Sequence, residues 1–199
     1  LVMQSAALFD VPTASAQRVA AALECVHCYS LVHDDLPAMD DDDMRRGQPT
    51  THRKFDEATA ILAGDGLLTF AFEILGDPAT HADATVRSAL VLALALASGE
   101  AGMVGGQMKD IEAETGGFAS YDAIAAMQGM KTGALFRFAC EAGAILASEN
   151  RTALRQYAEY IGLAFQIADD ILDVEADAAT LGKATGKDKG RGKATFVDF

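Results

Sequence analysis

The stretch His33-Asp34-Asp35-Leu36-Pro37-Ala38-Met39-Asp40-Asp41-Asp42-Asp43-Met44-Arg45-Arg46-Gly47 puts six acids into ten residues and closes them with two arginines. Like charges at contact distance raise one another's pKa and destabilise a fold unless cations sit among them. The stretch therefore reads as a metal-binding mouth. Pro37 lacks the N–H that a helical ladder needs, so the helix leading into the stretch ends there and the aspartates leave it as a loop. A second cluster, Asp169-Asp170-Ile171-Leu172-Asp173, lies far downstream in an otherwise apolar helical pattern, where an ionised carboxylate costs free energy unless paired. Gln166, Asp169 and Asp173 are spaced three and four, which stacks them on one helix face. Two such clusters point to one shared site.

Upstream, residues 1–9 read as the end of a helix stopped at Val11-Pro12. The next helix starts near Ser15, with Val19, Leu23, Val26 and Ser30 as its inward stripe. His27 and Asp34 are seven apart and share a face of it. Downstream, the pattern predicts helices over 56–75, 80–99, 121–128, 132–146 and 152–175. Gly102, Gly105 and Gly106 allow close backbone approach ahead of Gln107 and Asp110, and Lys131-Thr132-Gly133 places a cation at a glycine-marked junction. Residues 181–195 read as a flexible cationic tail. Alanine, leucine, glutamate and methionine dominate the long segments. Residues 1–199 are thus expected to form a single all-α domain, a helical bundle with two acidic helix ends converging at one mouth.

The formal net charge of −13 argues against nucleic acid and against a generic anionic membrane surface as partners. The most apolar run, 89–97, falls short of the ~20 residues of a membrane span and reads as a core helix, so no membrane insertion is expected. Three cysteines are too few for a disulfide framework and suit a reducing, cytoplasmic setting. Cys25-Val26-His27-Cys28 lacks the second cysteine pair of a zinc site. Oxygen-only ligand sets select hard cations, and carboxylates with room for water suit Mg2+ shared with a phosphate. The EF-hand spacing is absent, as are the Glu-x-x-His pairs of a di-iron bundle. Arg45, Arg46, Lys131, Lys183 and Lys193 stand ready to meet the phosphate.

Taken in chain order, Asp34-Asp35-Leu36-Pro37-Ala38-Met39-Asp40, Arg45-Arg46-Gly47, Lys131-Thr132-Gly133, Phe165-Gln166-Ile167-Ala168-Asp169-Asp170-Ile171-Leu172-Asp173 and Leu181-Gly182-Lys183 resemble the motifs of the trans-isoprenyl diphosphate synthases, and most closely their bacterial farnesyl diphosphate branch. The resemblance implies an isoprenoid-synthase bundle around a deep central cavity, and a homodimer. It implies a catalytic set of Asp34, Asp35, Asp40, Asp169, Asp170, Asp173 and Lys131. Within that set Asp34, Asp40 and Asp169 would hold three Mg2+ ions, with Mn2+ as a substitute, on the diphosphate of an allylic substrate. Arg45, Lys131, Thr132, Gln166, Lys183 and Lys193 match positions that grip this diphosphate, and His27 and Arg46 match positions that hold isopentenyl diphosphate. Tyr29 and Ser30 match positions that set product length, where a bulky tyrosine favours a C15 over a C20 product.

The implied reaction is head-to-tail condensation of isopentenyl diphosphate with dimethylallyl or geranyl diphosphate, with no side-chain nucleophile. A class I terpene cyclase pairs its aspartate motif with an Asn/Ser/Glu-type second motif, whereas the second motif here is aspartate-rich. A catalytically incomplete partner subunit need not keep both motifs. Family members also carry an N-terminal Gly-Gly-Lys-x-x-Arg-Pro segment and further C-terminal helices that this chain lacks. Both ends are accordingly expected to be cut, with reduced stability and an incomplete isopentenyl site.

Overall fold

The computed structural model describes residues 1–116 and 120–175, side chains at 114–116, 170 and 173–175 excepted. Its helices are α1 (Val2–Ala7), α2 (Thr13–Asp34), α3 (Thr51–Lys54), α4 (Glu57–Gly76), α5 (Ala84–Ser98), α6 (Met103–Gly116), α7 (Tyr121–Gln128), α8 (Ala134–Leu146) and α9 (Thr152–Glu175), with a π-helical turn at Gly129–Gly133 joining α7 to α8. The expected all-α class holds. A two-stranded hairpin, β1 (Met44–Arg45) and β2 (Gln48–Pro49), is the addition.

The centre of the bundle is α8. Every residue from Phe138 to Leu146 is buried, as befits a helix enclosed on all sides, and α1, α2, α5 and α9 pack around it. Its Gly143 is where α1 comes closest: a Cβ there would lie 2.2 Å from the Ser5 carbonyl carbon. The Gly143 amide donates to Ser5 Oγ at 3.0 Å, which fastens the short α1. Gly143→Ala is expected to lift α1 from α8 and to destabilise the protein by about 2 kcal/mol, the usual scale for overpacking. Urea denaturation, with faster amide exchange across α1, checks it. Nearby, the buried Glu141 carboxylate accepts from Arg155 Nε at 2.8 Å and Arg151 Nη1 at 3.4 Å, tying the start of α9 to α8.

The starts of α2 and α5 differ from the periodicity, each for a local reason. Helix α2 begins at Thr13, with Pro12 directly before it. Its buried stripe is Ala16, Val19, Ala22, Val26 and Tyr29, while Leu23 and Ser30 are only half-buried. Helix α5 starts at Ala84 because Asp83 caps it, accepting from the Thr85 amide at 2.7 Å. Thr80, the expected start, is instead a buried link: its hydroxyl donates to the Ile74 carbonyl and accepts from Arg18 Nε at 2.8 Å.

The glycine-rich stretch after α5 is helical, not merely permissive. By length and composition, α4 and the segment Ala84–Ala113 are apolar enough to cross a membrane, so the shortness of the 89–97 run does not describe the helices around it. Ile61, Leu62 and Phe70 on α4, Leu92 and Leu96 on α5, and Val104 and Met108 on α6 are exposed.

Candidate active site

The acidic loop folds back over the C-terminus of α2. Asp40 donates its amide to the Asp34 carbonyl at 2.8 Å, and Asp42 donates to that of Asp35 at 3.2 Å, satisfying carbonyls that a helix end leaves free. A helix C-terminus carries partial negative charge. Setting aspartates on it builds a centre that calls for cations.

Neighbouring acids are put to different uses. Asp35, 3% exposed, is buried against Arg45, which donates from Nε at 2.8 and 3.1 Å and from Nη2 at 2.7 Å. The hairpin delivers that arginine. Its two-residue turn, Arg46 at φ 51 and Gly47 at φ 74, is left-handed at both positions, the conformation that closes a tight hairpin. Beyond β2, Thr50 donates its amide to Asp43 at 3.0 Å and its hydroxyl to the Asp42 carbonyl at 2.7 Å. With that proton committed, His52 Nδ1 is the donor in its 3.2 Å contact with Thr50 Oγ1, and the buried His52 Nε2 has no partner among the described residues.

Asp34, beside Asp35 in the chain, is half-buried. Burial pushes its carboxyl up to about 6; the Lys131 charge pulls it down, Asp40 pushes it up, and Arg45 and Asp35 act more weakly in opposite senses. The same burial, together with Asp34, raises the Tyr29 phenol. Asp34, Asp35, Asp40, Arg45, Lys131 and Tyr29 are therefore gathered around one helix end. Arg46 is exposed, and its charge reaches the Cys28 thiol, next to the half-buried His27. Thr132 is also half-buried.

Lys131 lies in the π-helical turn, a rare geometry that recurs at functional sites. Its Nζ meets Asp110 Oδ2 on α6 at 2.6 Å. Asp110 was not expected in the site. The available signal was its place four residues after the close-approach Gly106, on the same helix face.

On α9, Gln166 is buried and lines a cavity of about 220 Å3 with Gly129, Gly133, Gly162 and Arg137. A larger cleft, about 400 Å3, is lined by Phe9, Pro12, His81 and Leu146 among others, and by none of the motif residues. Asp169 is exposed, contrary to the buried face expected of it. The reason is that α9 packs on α7, α8 and the π turn along one side, leaving Tyr157, Tyr160, Phe165 and Leu172 uncovered on the rest. Lys183 and Lys193, and the side chains of Asp170 and Asp173, lie outside the described residues.

Among the described residues, no three His, Cys, Asp or Glu side chains are grouped so as to hold an ion by themselves. Mg2+ rarely asks for that: it takes one or two carboxylates and completes its shell with water and phosphate oxygens. Asp34, desolvated and crowded by Asp40, fits such a shared site, since its charged form gains most from a cation.

The chain matches the polyprenyl synthetase family model over residues 1–198. It is 52% identical to the farnesyl diphosphate synthase of Escherichia coli (strain K12) over 98% of this chain and 67% of that protein. The apo crystal structure of an FPP/GFPP synthase from Zymomonas mobilis superposes with a TM-score of 0.87 at 48% identity, covering 100% of this chain and 66% of that one. A Helicobacter pylori geranyltransferase, solved in complex with magnesium and isoprenyl diphosphate, gives a TM-score of 0.83 at 33% identity, covering 93% and 61%. The chain thus spans between about three fifths and two thirds of these relatives.

Proposed function

Because the chain belongs to the polyprenyl synthetase family, we propose that this protein condenses isopentenyl diphosphate head to tail with dimethylallyl or geranyl diphosphate, giving farnesyl diphosphate. The observation that carries the reading is Asp34: a desolvated carboxylate at a helix C-terminus, beside Asp40 and facing the Lys131 ammonium. A divalent cation bearing an anion would meet the carboxylates through the metal and the ammonium through the anion.

In this reading Asp34 and Asp40, with Asp169 from α9, hold Mg2+, three ions per site, with Mn2+ able to replace it. Bound Mg2+ supplies charge that makes the diphosphate a leaving group. Lys131, Thr132 and Gln166 orient that diphosphate, joined by Lys183 and Lys193. Arg45 adds Nη1 and the second N–H of Nη2, because Nε and one Nη2 N–H are committed to Asp35. His27 and Arg46 hold isopentenyl diphosphate. The allylic C–O bond breaks with its electron pair on the diphosphate oxygen, the isopentenyl double bond attacks the allylic cation, and the released diphosphate takes the proton that closes the new double bond. Apolar walls exclude water from the cation. Tyr29, buried one turn before Asp34, is the floor that stops growth at C15.

One domain, a cytoplasmic setting and a homodimer complete the proposal. The exposed apolar side chains of α4, α5 and α6 support the dimer, since such area is normally covered by a partner. Protein expressed from its complete coding sequence, given Mg2+, labelled isopentenyl diphosphate and geranyl diphosphate, is expected to release a C15 diphosphate. Cyclic hydrocarbon alone, or no elongation, would reject the function. A C20 product would reject Tyr29 as the floor.

A further inference from the structure

Where α2 packs along α4, one imidazole is let into the neighbouring helix. A Cβ on the buried Gly64 would overlap His33 Nε2 and Cδ2 and lie 2.8 Å from Cε1, so the ring occupies a notch that only glycine leaves. There Nε2 meets the Ile61 carbonyl oxygen at 3.0 Å, with Asp65 Oδ1 at 4.0 Å. A carbonyl only accepts, so Nε2 carries the proton and donates it. One turn back on α2, the buried Tyr29 lies against the same ring, with centroids 5.7 Å apart and planes at 80°, the T-shaped arrangement that aromatic pairs favour. Gly66, on the same helix as Gly64, is exposed, and a Cβ there would meet nothing within 4 Å.

We infer that Gly64 and His33 are positioning residues for product length: the notch holds the imidazole, and the imidazole holds the Tyr29 ring where it stops the growing chain. The inference rests on the function proposed above, with Tyr29 as the floor. Its physical content is that a ring is a stop only while it cannot turn. A tyrosine reorients about its side-chain torsions, and a neighbour pinned to the next helix removes that freedom on one side. A side chain at position 64 would meet the far end of His33 and not backbone, so the ring can yield without the helices parting. His33 then swings out, its bond to Ile61 breaks, and the space beside Tyr29 opens.

Protein expressed from its complete coding sequence is given Mg2+, geranyl diphosphate and excess labelled isopentenyl diphosphate, and the products are dephosphorylated and separated by length. The unsubstituted protein and Gly66→Ala, which adds the same methyl where it meets nothing, are expected to stop at C15. Gly64→Ala and His33→Ala are each expected to raise the C20:C15 ratio about tenfold, the scale of one ring contact and one hydrogen bond together. Adding Gly64→Ala to Tyr29→Ala should lengthen the product no further, since the notch acts only through that ring. Damage to folding lowers both products alike, so the ratio separates positioning from instability. The proposal is overturned if His33→Ala or a folded Gly64→Ala keeps the unsubstituted ratio, or if Gly64→Ala lengthens the product as much beside Tyr29→Ala as alone. Should Gly64→Ala not fold, His33→Ala decides. A readout free of turnover is the fluorine resonance of Tyr29 in protein carrying fluorotyrosine, identified by its loss in Tyr29→Phe. Gly64→Ala is expected to move it and Gly66→Ala to leave it in place; an unmoved resonance in folded Gly64→Ala overturns the proposal. An unsubstituted protein that elongates nothing, with that resonance still moved by Gly64→Ala, overturns the prenyltransferase reading alone.

Discussion

Asp34→Asn is expected to slow elongation about a thousandfold, the upper range for loss of one preorganised electrostatic group, while making the metal-free protein more stable at pH 8. The two effects have one origin. In the folded protein the Asp34 carboxyl is pushed up to about 6 from 3.8, foremost by burial. Below about pH 4 the group is protonated in both folded and unfolded chains and contributes nothing. Between about 4 and 6 the unfolded chain releases the proton first, so this group makes stability fall as pH rises. Above about 6 the full penalty is present, of order 2 kcal/mol after allowing for partial solvation. The amide has no such penalty. Urea denaturation of both proteins at pH 4.5 and pH 8 should show the variant's advantage growing with pH, and Mg2+ with pyrophosphate should stabilise only the unsubstituted protein. If Asp34→Asn unfolds the metal-free protein instead, the carboxylate is structural and its assigned role fails.

Arg45→Leu is expected to bring the largest loss of stability, about 3–5 kcal/mol, because it strands a buried ionised partner. Asp35 is almost wholly enclosed, and among the described residues Arg45 supplies all its side-chain donors. The damage should spread to the metal loop, since Asp42 hangs from the Asp35 carbonyl and the hairpin is what brings Arg45 in. Replacing both partners, Asp35→Leu with Arg45→Leu, should recover most of the loss, because two apolar groups leave no charge to compensate. Urea midpoints of the single and double variants decide it. A double variant as unstable as the single one would show that the ion pair is not what holds the loop.

Much of this architecture is legible in the order of residues. Pro37 stops α2, Asp56 caps α4 by accepting from the Thr59 amide at 2.6 Å, and the apolar spacing marks α8 and α9. Where the reading fell short, long-range packing overrode local tendency. The order of residues marks Gly102, Gly105 and Gly106 only as points of close backbone approach, which Gly106 is, with Lys131 backbone filling the space a side chain would take; it does not show that they lie at or within the start of α6. Arg46-Gly47 carried a hairpin signal that the surrounding aspartates masked. Asp169 was expected to be buried, and it is exposed: α9 packs on α7, α8 and the π turn, and Asp169 lies off the packed side.

The sequence by itself determined that acids ring the end of one helix and recur four apart on another, and that their charge demands cations, because charge and helical period are properties of the chain. Only the tertiary structure decided that Asp35 is sealed under Arg45 while Asp34 stays half-buried, and that Asp110 pairs with Lys131. Adjacent aspartates are chemically identical until packing fixes how much water and which opposite charge each one meets.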